Sequence, residues 1–142
     1  MPVLKTVEAI GNTFGNAVEY KRVRYDFSRD AGATGAYDVF TTADKVKVVD
    51  FHSVVKTACT SEGSATVKVG VTGDDNRFMN TVQGAVANLT LNAGILPIVV
   101  EGTPNVLAVP VVMAAGDKVL MTIGTAALTA GSIEMTIGFI RL

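Results

Sequence analysis

Apolar and polar residues alternate with a period of two along most of the chain. In the segment Tyr20–Ser28, Val23, Tyr25 and Phe27 fall on one face and Arg22, Arg24 and Asp26 on the other. Ala65, Val67, Val69 and Val71 alternate with Thr66, Lys68 and Gly70. Val119, Met121 and Ile123 alternate with Leu120, Thr122 and Gly124. Near the end, Ile133, Met135, Ile137 and Phe139 alternate with Glu134, Thr136, Gly138 and Ile140. Period two is the mark of a strand with one buried face, and stiff branched Val and Ile side chains suit a pleated surface. Strands are predicted at Tyr20–Ser28, Ala36–Thr41, Val46–Cys59, Ser64–Thr72, Ile95–Val100, Asn105–Val112, Lys118–Gly124 and Gly131–Leu142. Reversal signals rich in Gly, Asp and Asn separate them, among them residues 29–32, 61–63, 72–76, 115–117 and 130–132. About eight short strands spaced this way predict an all-β chain, a jelly-roll-like antiparallel β-sandwich. Only Asn80–Leu89 suggests a helical turn.

Two stretches break the alternation. Residues 94–100 and 106–113 are apolar on both faces, as in a strand covered on both sides. A two-layer sandwich leaves one side of each sheet to water, so a second cover is needed. A neighbouring subunit is the favoured source, with an overlying loop or the N-terminal segment as alternatives. Ile95, Leu96, Ile98, Val106, Leu107 and Val109 are therefore candidate contact residues. Residues 1–18 set Val3, Leu4, Val7, Ile10 and Phe14 among small polar residues, with Gly11 and Gly15 opposing a long helix. They read equally as an arm laid on a partner or as an extra edge strand beside a single domain over 19–142.

Composition sharpens this picture. Charged residues are 18% of the chain and hydrophobic ones 49%, against about 25% charged in an ordinary domain, so little charge is left to cover a monomer's exterior. The net charge of −1 gives no electrostatic footprint for nucleic acid. The basic cluster Lys21-Arg22-Val23-Arg24 reads as a solvated strand face. Pro97 and Pro110 interrupt the longest apolar runs, which fall short of a membrane span, and the N-terminus lacks a signal-peptide core. A soluble, unanchored protein is expected.

Chemistry is sparse. His52 has no Cys/His companions for a metal site, and with Asp50 on the same strand face it reads as a polar surface histidine rather than a general base. Gly73-Asp74-Asp75-Asn76 lacks the spacing of a calcium loop and reads as a turn between strands. Gly32-Ala33-Thr34-Gly35 has no following lysine and helix to cradle phosphate. Cys59 reads as a small buried hydrophobe. No catalytic residue, cofactor or metal is expected, and no enzyme activity.

Three stretches carry a resemblance: RYDFSRDAGATGAYDVFT (24–41), CTSEGSATVKVGVTG (59–73) and MAAGDKVLMTIGTAALTAGSIEMTIGFIRL (113–142). Together they resemble small proteins from the head-gene clusters of tailed bacteriophages that act as capsid decoration, or cement, proteins. The last stretch is the most specific, while residues 1–18 have no counterpart. The resemblance implies a β-sandwich, frequently trimeric, bound to the outer face of the phage head, where it ties major capsid subunits together. Another virion component, such as a tail or fibre-base protein, and a lectin-like binding module are the alternatives.

Overall fold

The computed structural model describes residues 1–10, 17–95, 99–100 and 103–142. Twelve strands are present among them: β1 Lys5–Ile10, β2 Glu19–Asp26, β3 Gly35–Thr41, β4 Val46–Thr60, β5 Thr66–Val71, β6 Asp74–Met79, β7 Gly94–Ile95, β8 Val99–Val100, β9 Thr103–Leu107, β10 Val111–Met113, β11 Lys118–Gly124 and β12 Ala130–Arg141. The helical content of the described residues is one turn, α1 Phe27–Asp30, and a 3-10 turn at Val86–Asn88.

Two antiparallel sheets pack face to face. The larger runs β1-β2-β12-β4-β10, with β7 also paired to β4, and the smaller runs β3-β11-β5-β6. Strands β8 and β9 form a separate pair. The alternating positions read from the sequence line the space between the sheets. Val23, Tyr25, Val67, Val69, Val119, Met121, Ile133, Met135 and Ile137 are all buried there. Phe51 of β4 stacks on Phe78 of β6 with ring centroids 4.4 Å apart, joining the two layers. The sandwich expected from alternation is thus the observed architecture.

Several elements differ from expectation, each for a local reason. The first predicted strand stops at Asp26, whose carboxylate accepts the Ser28 amide at 3.0 Å and so starts α1. Phe27 consequently enters a helical turn instead of extending the strand, and it packs partly buried against the core. The predicted turn at residues 72–76 is tighter than its composition suggests. Gly73, at φ +86°, makes the reversal, Val71 faces Asp74, and Asp74–Asn76 already belong to β6. The run 106–113 is divided between β9 and β10, and the run Ile95–Val100 contributes to β7 and β8.

Residues Lys5–Ile10 form an edge strand antiparallel to β2. Just before it, the Pro2 carbonyl accepts the Asp38 amide at 2.7 Å, and the Leu4 amide donates to the Asp38 carbonyl at 2.9 Å. The first ten residues therefore touch the edge of the small sheet at β3 and then extend the large sheet at β2.

Candidate functional site

The residues with reactive potential are dispersed by the fold. His52 lies half-buried on β4 opposite Thr136, and no hydrogen bond joins it to Asp50. Among the described residues no three His, Cys, Asp or Glu side chains gather where they could hold a metal ion. Asp74 and Asp75 are spent on cations of their own sheet, Asp75 on Lys68 at 2.7 Å and Asp74 on Arg77 at 3.4 Å. Cys59 is buried, and that burial pushes its thiol pKa up to about 11, the opposite of what a nucleophile needs. Lys118 donates to Asp38 and to Thr41 at 2.9 and 2.8 Å, tying β11 to β3.

The basic cluster on β2 has a structural employment. Arg24 makes a two-pronged contact with the Glu134 carboxylate on the neighbouring central strand, and Arg22 approaches the same carboxylate at 3.5 Å. Strand register sets this up, because Arg24 lies directly opposite Glu134. The result is a cross-strand charge cluster, in place of the simply solvated face expected from sequence.

The predicted contact residues separate into distinct groups. Val3, Val7 and Leu107 are exposed, at 71%, 41% and 57%. Leu4 is buried within the chain's own core, drawn in by the hydrogen bonds to Asp38 on either side of Val3. Ile95 and Val109 are partly buried against that core. Phe14, Leu96 and Ile98, with the side chains of Ile10 and Val106, lie outside the described residues. Val82 and Leu91 are also exposed and were not singled out by sequence, since isolated apolar residues beside turns carry no pattern. Val112, from the apolar run 106–113 but not among the candidate contact residues, is exposed as well.

Arg77 also escaped the sequence reading. From β6 its Nε donates to the Ala108 carbonyl at 2.9 Å and its Nη2 to the Leu107 carbonyl at 2.7 Å. One guanidinium thus pins the junction between β9 and β10 to the edge of the small sheet. A second feature without a sequence signal is a cavity of about 240 Å³ beside β4 and β7, walled largely by aliphatic side chains.

With this geometry in view, likeness to known proteins can be placed. No protein-family model and no curated protein matches the sequence. Solved structures do. A chain of the cyanophage Pam1 capsid asymmetric unit is 17% identical at a TM-score of 0.62, with 96% of this chain and 93% of that chain covered. A chain in the acid-stable capsid of Helicobacter pylori bacteriophage KHP30 is 11% identical at a TM-score of 0.58, with 96% and 91% covered. What is shared is the fold. At such identities residue roles do not transfer.

Proposed function

We propose that this chain is a phage capsid component, a non-enzymatic decoration protein that binds the outer face of the head as a homotrimer and stabilises contacts between major capsid subunits. The observation that carries this reading is the whole-chain likeness to chains of two phage capsids. Because more than nine-tenths of both partners is covered in each comparison, the similar chain is itself a unit of this size and not one domain of a much longer subunit. The surface supports the same reading. Val3, Val7 and Leu107 stand exposed on a scaffold closed by non-local strand pairing, and the net charge is close to zero. A cement protein needs rigid shape, apolar contact and several attachment points at once. Three weak contacts made by a trimer give avidity far beyond that of one contact.

The test uses the purified full-length protein and empty, expanded capsids of its phage. The protein is expected to elute at three times its 14.8 kDa chain mass and to cosediment with capsids. Electron microscopy of the decorated particle then shows added density on the outer shell. A monomer that ignores capsids overturns the proposal. Density confined to the tail or fibre base replaces it with the other virion reading.

A further inference from the structure

Strand β4 contains a position that its own pattern does not explain. Its inward-facing residues Val46, Val48, Phe51 and Val55 are apolar and buried, and Ser53 interrupts them at 4% exposure. Ser53 lies opposite Met135 on one side and Ile95 on the other, both apolar. No hydrogen bond joins its hydroxyl to the described residues, and the oxygen is not among the fully enclosed polar atoms left without a partner, so it touches open space. A hydroxyl that faces open space keeps a hydrogen bond to offer, whereas valine would complete the apolar row and offer none.

The place where Ser53 breaks the row is also where a half-open pocket meets strand β4. Ser53 lines the cavity of about 240 Å³, whose walls include Val55, Met79, Leu89 and Ile133. Those four side chains are at most 3% exposed and form the floor of a pocket that is half open to solvent. On its solvent side stand Gln83 and Asn88, whose amides are committed to the adjoining turn. Gln83 Oε1 accepts the Asn80 amide at 3.2 Å, and Asn88 Nδ2 donates to the Val82 carbonyl at 2.9 Å. Neither is needed to fill the space. An engineered apolar cavity of about 150 Å³ takes up benzene, so this one has room for a ring with a small substituent.

We propose that the cavity is a binding site for a small, mostly apolar molecule bearing one hydrogen-bonding group, which it presents to the Ser53 hydroxyl. The inference is independent of the capsid reading, and the two can fail separately. Benzyl alcohol and toluene are suitable probes, because they share a ring and differ in the hydroxyl. Titrating each into the full-length protein is expected to shift the methyl resonances of Met79 and Ile133. The toluene-to-benzyl alcohol ratio of dissociation constants should fall by about three- to tenfold in Ser53→Ala, the effect of one net hydrogen bond. Ala93→Phe, which places a ring in the cavity wall, is expected to abolish binding of both. The proposal is overturned if neither probe moves those methyls in the unaltered protein. An unchanged ratio in Ser53→Ala, or ordered water that neither probe displaces, has the same consequence. The methyl titration needs no variant, so a misfolded Ala93→Phe would not shield the idea.

Discussion

Glu134 projects from the outer face of the central strand β12 and is nevertheless 8% exposed, because two arginines of β2 converge on it. Removing its charge leaves both guanidiniums crowded on one face without their common acceptor. A charge-assisted hydrogen bond contributes about 1.5–3 kcal/mol. The Arg22 and Arg24 side chains are 41% and 37% exposed, so water offsets part of the loss. Glu134→Gln is expected to lower unfolding free energy by about 1–2 kcal/mol in a urea titration, with the deficit shrinking at high salt. Two buried acids set a different limit. Burial raises the Cys59 thiol from 9.0 to about 11. Burial, with Tyr37 nearby, also raises the Tyr25 phenol, which donates to the Ala31 carbonyl at 2.8 Å. Both groups fold best protonated, so their contribution is whole below the unfolded pKa values. It is lost as pH rises from about 9 through the folded ones. The urea midpoint should therefore hold from pH 7 to 8.5 and decline by pH 10.5, and Cys59→Ala should remove part of that decline. At pH 8 a thiol reagent should react with Cys59 only at the rate of unfolding.

At the scale of elements, Arg77 shows how one side chain seats a segment. Its bonds to the Leu107 and Ala108 carbonyls stop the β9–β10 junction from lifting away, and Ala108 is fully buried beneath it. Arg77→Ala should cost about 1–2 kcal/mol and raise amide exchange selectively over residues 103–113. Lysine, with one point of attachment, should restore less than half of that protection. Faster exchange spread evenly over the sheets would contradict this role. The contrast between Arg77 and its neighbours also explains what could be read in advance. Strands β11 and β12 were legible because one face of each is core, so burial itself writes the alternation. Strand β6 was not. It is an edge strand whose Asp74, Asp75 and Asn76 are polar residues of low strand propensity, held by register and by ion pairs to Lys68 and Arg77. The Arg77 grip and the gap beside Ser53 arise from segments about 30 or more residues apart, and no local pattern encodes such meetings.

Across the whole molecule, the chain repeatedly changes layer. Strand β2 lies in the large sheet, β3 in the small, β4 in the large and β5 in the small; β10, β11 and β12 repeat the exchange. Each sheet is consequently laced by strands distant in sequence, which favours a rigid body with little scope for local opening. For such a body, attachment depends on what its fixed surface offers. Net charge is −1, while Leu107 and Val112 are 57% and 51% exposed near the junction that Arg77 holds. Burying a leucine or valine side chain contributes about 1.5–3 kcal/mol, and in the proposed trimer each substitution would be present three times. Leu107→Asp and Val112→Asp should each reduce capsid occupancy about tenfold or more. Both positions are exposed in the free chain, so the urea midpoint should barely move. Apolar attachment is not screened by salt, so a wash in 1 M NaCl should leave the unaltered protein on the shell. If that wash strips it while both aspartate variants bind normally, charge and not apolar area holds the protein to the capsid.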